Sequence, residues 1–224
     1  FDSFSPGRRT TLAFAKGNRT LDVRRGDLTS LAAVTRAMKG VEVVFHQAAA
    51  VGVGQSMYEI ERYVSVNTLG AAVLLEELVE RRAQLRRVVV ASSMSIYGEG
   101  AYRNREGALV FPRLRSNEQL EARRWDYQDA SGRALEPAPT PESKPLVPTS
   151  VYAVTKRDHE ELFLAVGAAY GIPTVALRYF NVYGTRQSLS NPYTGVIAIF
   201  SSRLLNGRAP LLFEDGRQSR DFTH

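Results

Sequence analysis

The sequence contains no cysteine, which excludes structural disulfides and thiolate metal sites. Long apolar runs are also missing. The best candidate, residues 41–53, is interrupted by His46 and Gln47 and falls short of the roughly 20 residues that span a bilayer. A basic segment followed by an apolar one, as in a secretory leader, is not found either. We therefore expect a soluble, cytoplasmic protein with no membrane partner.

The composition is that of an ordinary globular protein, with 44% hydrophobic and 23% charged residues in a chain of 224. This is enough for one sizeable core, and it excludes a disordered or collagen-like chain. The net charge of +6 favours polyanionic partners, such as nucleic acid, anionic lipid or phosphorylated metabolites. Because the basic residues are scattered, and in residues 103–124 alternate with Glu and Asn, we expect a phosphorylated metabolite and no nucleic-acid partner.

Apolar segments alternate with segments of helical periodicity along the chain. Their pattern predicts strands at 21–25, 41–45, 88–91 and 174–177, and helices at 29–39, about 57–82, 150–170 and 196–205. Continuous apolar strands separated by helices are typical of a parallel sheet that is covered on both faces. The predicted fold class is therefore α/β, doubly wound.

Two features depart from a regular sheet of this class. Residues 101–148 lack clear periodicity and include the proline-rich run 136–141, which indicates an inserted lid or contact surface. A dinucleotide-binding sheet begins with a strand, a glycine-rich turn and a helix, but no GxGxxG is present. We therefore expect a fragment truncated at both ends, which alone folds poorly and is inactive.

Tyr152 and Lys156 are the strongest candidates for chemistry. At spacing i, i+4 near the start of the predicted helix, they share one face about 6 Å apart. An ammonium there favours the phenolate, and a tyrosine base at neutral pH needs its pKa lowered by about 3 units from about 10. The alternative is an ordinary surface pair on an amphipathic helix.

Serine hydroxyls follow the predicted strand 88–91, at residues 92, 93 and 95. Ligands bind at the carboxyl ends of strands in open α/β sheets. A serine there would hydrogen-bond a substrate oxygen that it shares with Tyr152, as carbinol oxidation requires. The alternative is a serine-rich turn.

Several weaker candidates surround these residues. The small side chains of 47–51 would let a flat cofactor approach the backbone, whereas His46 alone is more typical of a core histidine. Asp27 would either bind an adenine amino group or belong to an ordinary turn. Asn67 is unusual inside a helix and is expected to bond a neighbouring loop. The arginines of residues 216–222 would either bind a diphosphate or face solvent.

Taken in order, these segments resemble the extended short-chain dehydrogenase/reductase family, in its nucleotide-sugar epimerase/dehydratase branch with a Rossmann-type sheet. The resemblance covers the whole chain apart from the insertion. The motifs that carry it are Asp2, GDL from 26, HQAAA from 46, Asn67, SSMSIYG from 92, YAVTK from 152, RYFNVYG from 178 and RDF from 220.

The resemblance implies a role for each matching residue. Tyr152 would be the catalytic base, Lys156 would bind the nicotinamide ribose, and Ser93 would bind the sugar hydroxyl. NAD would be the cofactor, favoured over NADP by Asp2, and its contacts would be Asp2, Asp27, Leu28, Gln47, Ala48, Ala49, Ala50, Val51, Asn67, Tyr152, Lys156 and Phe180. A nucleotide-diphosphate sugar would be held, without a metal, by Ser93, Ser95, Asn181, Val196, Phe213 and Arg220, with Arg220 on a phosphate and Phe213 beside the base.

The reaction depends on the two residues after Ser93. The family's dehydratases carry acidic residues there, whereas this chain has Met94 and Ser95, which cannot perform general acid–base chemistry at neutral pH. The resemblance thus implies an NAD-dependent 4-epimerase, because epimerisation at C4 needs no additional acid–base group. It would act through a transient 4-keto sugar on a UDP- or dTDP-hexose such as dTDP-L-rhamnose or UDP-glucose. Alternatives are a dehydratase, a reductase or a non-catalytic NAD-binding protein.

The same resemblance implies the domain organisation. Residues 1–180 would form the NAD-binding domain, with its first strand, glycine turn and helix missing and with the insertion at about 101–148. Residues 181–224 would form part of the nucleotide-sugar-binding domain. The assembly would be a homodimer.

Overall fold

A computed structural model describes residues 1–3, 12–14, 17–187 and 195–224. Residues 4–11 and 15–16 of the first predicted domain and residues 188–194 of the second lie outside the described residues. The helices are α1 Leu31–Ala37, α2 Val53–Ser56, α3 Ile60–Tyr63, α4 Gly70–Glu80, α5 Asn117–Glu121, α6 Val151–Tyr170 and α7 Val196–Leu205. The strands are β1 Val43–His46, β2 Arg87–Ala91, β3 Ala101–Arg103, β4 Leu109–Val110, β5 Glu136–Ala138, β6 Thr174–Leu177, β7 Asn181–Val182 and β8 Phe222–Thr223.

The central sheet contains three parallel strands in the order β1-β2-β6. Val44 pairs with Val88, and Val90 pairs with Ala176. These are the strands predicted at 41–45, 88–91 and 174–177, displaced by at most two residues at an end. The parallel α/β class is therefore confirmed, and the carboxyl ends of the three strands meet at one edge.

The hydrophobic core lies on one face of this sheet. It is formed by side chains of α1, α4, α6, β2 and neighbouring turns, namely Val34, Met38, Ala71, Leu74, Leu75, Leu78, Leu85, Val88, Val90, Phe163 and Ile172. The opposite face exposes Val43, Phe45, Val175 and Leu177, and Phe45 is 67% exposed. The sequence predicted a sheet covered on both faces, whereas α1, α4 and α6 all pack on the same one.

The strand predicted at 21–25 is not formed. Arg25 makes one isolated parallel bridge to Asp2, with the Asp2 amide bonded to the Arg24 carbonyl and the Gly26 amide bonded to the Asp2 carbonyl. A strand needs a partner along its length, and among the described residues this segment is paired only at its end.

The predicted helix at about 57–82 is divided. α2 ends at Ser56, and after a turn the chain continues through α3, a π-helical segment Val64–Leu69, and α4. A π segment has a wider turn and is often found at functional sites. Here it directs Asn67 into the interior, where the residue is fully buried.

α6 agrees closely with its predicted bounds because both ends carry local signals. The Ser150 side chain caps the first turn by accepting a hydrogen bond from the Ala153 amide at 3.1 Å. Gly171 ends the helix in a left-handed conformation with φ of 67°. Within the described ranges, every helix is too short or too polar to cross a lipid bilayer.

The insertion has more structure than its sequence predicted. β3 pairs antiparallel with β4 on one side and with β5 on the other, which gives a small sheet in the order β4-β3-β5. α5 follows β4 and is capped by Ser116, whose hydroxyl accepts from the Gln119 amide. The strands are only two or three residues long, so they show no detectable periodicity.

Candidate functional site

Tyr152 and Ser93 meet at the carboxyl edge of the sheet. Ser93 follows β2 and caps the 3₁₀ turn Met94–Tyr97, its hydroxyl accepting from the Ser95 amide at 3.1 Å. Tyr152 lies in the first turn of α6. Burial raises the pKa of Tyr152 above its usual 10, and a hydrogen bond with the Ser93 side chain opposes that shift. Two residues 59 positions apart in sequence thus share one hydrogen bond. The sequence predicts that both bind one substrate oxygen, and that shared contact stays a prediction.

The elements after β1 hold Tyr152 in place. Its amide donates to the Ser56 hydroxyl at 3.0 Å, and that hydroxyl donates to the Val53 carbonyl at 2.6 Å. The Tyr152 ring meets the Tyr63 ring edge-on, with 6.4 Å between their centroids. Tyr63 is fully buried and its hydroxyl donates to Gln55 Oε1 at 3.0 Å. The phenol is therefore fixed by both α2 and α3.

Lys156 is buried and directed at the sheet. Its Nζ donates to the Ala91 carbonyl oxygen at 2.8 Å and lies 3.4 Å from His159 Nδ1. Burial lowers the pKa of Lys156 to about 8. The sequence predicts that this ammonium favours the Tyr152 phenolate, and that role stays a prediction. In the structure the pKa of Tyr152 is shifted by burial and by Ser93, and Lys156 Nζ bonds the end of β2.

Two histidines pack below Lys156. His46 stacks on the Phe163 ring at 5.1 Å and lies 5.0 Å from the His159 ring. Burial lowers the pKa of His46 to about 3 and that of His159 to about 4, so both are neutral at physiological pH. Within the described part of the chain, His46 Nε2 makes no hydrogen bond. His46 is thus a core histidine, the alternative that its sequence context favoured.

Asn67 ties the π segment to the loop after β1. Its Oδ1 accepts from the Ala50 amide at 2.7 Å, and its Nδ2 donates to the Ala50 carbonyl at 3.1 Å and to Thr155 Oγ1 at 3.0 Å. The Asn67 carbonyl is 2.8 Å from His159 Nε2. The expected bond between Asn67 and a neighbouring loop is confirmed, and it fixes the backbone of residues 47–51.

The other predicted cofactor residues lie near this loop or near the turn before α1. Gln47, Ala48 and Val51 are exposed, whereas Ala49 and Ala50 are half-buried. Leu28 packs against the core. Asp27 Oδ1 accepts from the Thr29 amide at 2.9 Å and from its hydroxyl at 2.8 Å, the geometry of an ordinary turn aspartate. Asp2 is exposed beside Arg25.

The predicted substrate residues lie in three places, and the predicted cofactor residue Phe180 lies in a fourth. Asn181 and Val196 line one small cleft with Phe222, and Asn181 Nδ2 donates to the Asp221 carbonyl at 2.9 Å. Phe213 and Arg220 are exposed in the segment after α7. Ser95 is half-buried beside Ser93, and Phe180 lines a groove along β6.

A buried ion pair beside the site was missed. Arg178 donates to Glu160 at 2.6 Å, to the Tyr97 hydroxyl at 2.8 Å and to the Glu142 carbonyl at 2.9 Å. The available signal was Glu160 itself, which continues the i, i+4 face of Tyr152 and Lys156 on α6. Arg178 directly follows β6, so the two charges meet at the same sheet edge. The described residues contain no group of three or more metal-binding side chains.

Comparison with known proteins identifies the family. The model of the "NAD dependent epimerase/dehydratase family" matches residues 4–119 and 130–224. A dTDP-L-rhamnose 4-epimerase of Burkholderia thailandensis is 38% identical over 181 residues, covering 81% of this chain and 49% of that protein.

Solved structures agree with this match. The UDP-N-acetylglucosamine 4-epimerase from Methanobrevibacter ruminantium M1, in complex with UDP-N-acetylmuramic acid, is 30% identical with a TM-score of 0.76, over 99% of this chain and 59% of that one. The UDP-glucuronic acid 4-epimerase from Bacillus cereus, in complex with UDP-glucuronic acid and NAD, is 26% identical with a TM-score of 0.72, over the same shares of 99% and 59%.

The chain spans about half the length of the curated relatives that it matches. The family match nevertheless runs through nearly all of the chain, on both sides of a gap at 120–129 within the insertion. With the parallel sheet and the ordered motifs at its carboxyl edge, this assigns the chain to the NAD dependent epimerase/dehydratase family.

Proposed function

We propose that the protein containing this chain is an NAD-dependent nucleotide-sugar 4-epimerase that acts on a UDP- or dTDP-hexose through a transient 4-keto sugar. The observation that carries the proposal is the hydrogen bond between Ser93 and the buried Tyr152 phenol at the carboxyl edge of the sheet. Two hydroxyls so placed suit a sugar hydroxyl that must lose and regain its proton.

The residues fit NAD. The buried Lys156 ammonium is a donor for a ribose hydroxyl. The short side chains of residues 48–50 let a flat ring approach their backbone, which Asn67 holds in place. The Bacillus cereus relative was solved with NAD. When bound, NAD would take hydride from C4 of the sugar and return it. Residues 1–180 would belong to the NAD-binding domain.

Tyr152 would accept the proton of the sugar C4 hydroxyl, while Ser93 donates a hydrogen bond to the same oxygen. Because burial raises the pKa of Tyr152, the phenol is protonated in the free chain near neutral pH. Reaching a base with a pKa near 7 from this raised value requires a shift of more than about 3 units, or more than about 4 kcal/mol. The positive charge of an oxidised nicotinamide would supply part of this, and Lys156, protonated below its pKa of about 8, would supply a further part.

Epimerisation is favoured over dehydration by the turn that follows Ser93. Met94 and Ser95 occupy the 3₁₀ turn beside the serine, and neither can exchange protons at neutral pH. The sugar would be anchored by its nucleotide at Asn181, Val196, Phe213 and Arg220, within the 181–224 part of the chain. An anchor distant from C4 leaves the sugar ring free to present either face.

The experiment is to incubate the full-length protein with a panel of UDP- and dTDP-hexoses and to follow C4 stereochemistry by NMR. The proposal predicts interconversion of C4 epimers of at least one sugar without net formation of NADH. Loss of water from the sugar would identify a dehydratase instead, and stoichiometric consumption of NADPH would identify a reductase. Turnover of none of the sugars, with NAD bound, would favour a non-catalytic protein.

We further propose a homodimer built on α3, the π segment and α6. Ile60 and Val64 are exposed apolar residues one turn apart, and Val154 and Leu162 are exposed on α6, which packs beside the same segment. Exposed apolar residues on adjacent helices suit a second copy of the chain. Light scattering of the full-length protein would show twice the monomer mass.

A further inference from the structure

Glu99, which follows the 3₁₀ turn Met94–Tyr97, fastens the insertion to the segment after β2. Its carboxylate accepts hydrogen bonds from the Tyr127 hydroxyl at 2.6 Å and the Tyr102 hydroxyl at 3.2 Å, and the two rings lie 4.9 Å apart. Gly98 before it has φ of 70°, and a Cβ there would lie 2.3 Å from the Val147 carbonyl oxygen. Both ends of the insertion therefore converge beside the 3₁₀ turn that follows Ser93.

Arg115 joins the insertion to the segment after α7. Its guanidinium makes two bonds to the Glu214 carboxylate, at 2.7 and 2.9 Å, and a third to the Trp125 carbonyl at 2.9 Å. It also lies 5.6 Å from the centroid of the Tyr127 ring. The side chains of this pair are only 18% and 20% exposed. Such a bidentate pair, shielded from solvent, fixes both direction and distance.

Glu214 needs that restraint. It is a non-glycine residue in the left-handed region, with φ of 58°, a conformation that persists where surrounding contacts maintain it. The Arg115 guanidinium holds the pKa of the Glu214 carboxyl below its usual value, so the pair is ionised at neutral pH. The turn at Glu214 separates Phe213 from Arg220, two residues that the proposed function assigns to the nucleotide.

We propose that Arg115 is a positioning residue for the nucleotide sugar: through Glu214 it orders the turn between Phe213 and Arg220, so that the insertion becomes part of the substrate site. This rests on the proposed function, because it needs the 211–220 segment to contact the nucleoside diphosphate. It assigns the insertion a role in substrate affinity rather than in the proton and hydride steps.

The test uses the full-length protein and three variants. Arg115→Gln and Glu214→Gln each remove the pair, and Arg157→Gln removes an exposed ion pair with Glu161 on α6 as a matched control. Calorimetric titration with dTDP, UDP and NAD measures each Kd. We expect the Kd of the preferred nucleoside diphosphate to rise about tenfold in both pair variants, equivalent to about 1.4 kcal/mol. NAD affinity, and every Kd of the control, should match the wild type.

Two further readouts distinguish positioning from general destabilisation. Hydrogen exchange of a peptide covering 209–220 should be faster in Arg115→Gln, while a peptide covering α6 is unchanged. The reversed pair Arg115→Glu/Glu214→Arg should recover most of the nucleotide affinity. In steady-state assays KM should rise while kcat changes little.

Either of two results overturns this inference: nucleotide affinity in Arg115→Gln equal to that of the wild type, or unchanged exchange in the 209–220 peptide. Failure of the proposed function is separate. A protein that binds dTDP or UDP through the Arg115-dependent turn but interconverts no C4 epimers would retain the inference and reject the 4-epimerase. A wild type that binds neither nucleotide would reject both.

Discussion

Replacing Asn67 with alanine tests how the loop after β1 is held. The substitution removes the acceptor for the Ala50 amide, at 2.7 Å, and the donor to the Ala50 carbonyl and Thr155 hydroxyl. A buried polar group left without its partner costs about 1–3 kcal/mol, and the Ala50 amide is the group most affected. The lost bonds to the Ala50 carbonyl and the Thr155 hydroxyl add smaller costs, so the free energy of unfolding should fall by about 2–4 kcal/mol.

The assay is urea unfolding of the full-length protein, with NAD affinity measured alongside. Ser65→Ala is the control, because Ser65 lies in the same π segment and its hydroxyl donates to the exposed Glu61 side chain at 2.8 Å. It should change stability by less than about 0.5 kcal/mol. Asn67→Ala should also weaken NAD binding, since the loop loses its fixed backbone. Equal stability of the two variants would refute the reasoning.

Three further predictions concern charge, assembly and the phenol. Burial raises the pKa of Glu160, but the hydrogen bonds from Arg178 lower it by more, so its net pKa lies below its usual value. Its contribution to stability is therefore present above the unfolded pKa and lost as pH falls through the folded pKa. Glu160→Gln should flatten the acid limb of a melting-temperature profile. Val64→Glu should convert a dimer into a monomer in light scattering, whereas a monomeric wild type would reject the proposed interface. In an ultraviolet titration, the ionisation of Tyr152 is identified as the absorbance change that Tyr152→Phe lacks. Its midpoint should shift to lower pH when NAD binds, and an unshifted midpoint would contradict cofactor-assisted ionisation.

The parts of the fold that sequence predicted well are those fixed by local signals. β2 and β6 are continuous apolar runs, and α6 begins at a serine cap and ends at a left-handed glycine. Each signal lies within a few residues of the element that it defines. The meeting of Ser93 and Tyr152 followed as well, since both come at the carboxyl edge of a parallel sheet.

What sequence did not predict depends on distant partners. The Arg178–Glu160 and Arg115–Glu214 pairs join residues 18 and 99 positions apart. Hydrophobic periodicity along the sequence gives no information about such contacts. The π segment arises from tertiary packing of a stretch whose sequence predicts a regular helix. The Ala91 carbonyl that binds Lys156 is likewise 65 positions away in sequence.

The most direct test of the central claim is the turnover number of Tyr152→Phe in the full-length protein, with NAD and nucleotide affinities measured on the same sample. Phenylalanine keeps the ring against Tyr63 and removes only the hydroxyl that bonds Ser93. We expect C4 epimerisation to slow by about a hundredfold or more while both ligands still bind. Turnover at the wild-type rate would contradict it.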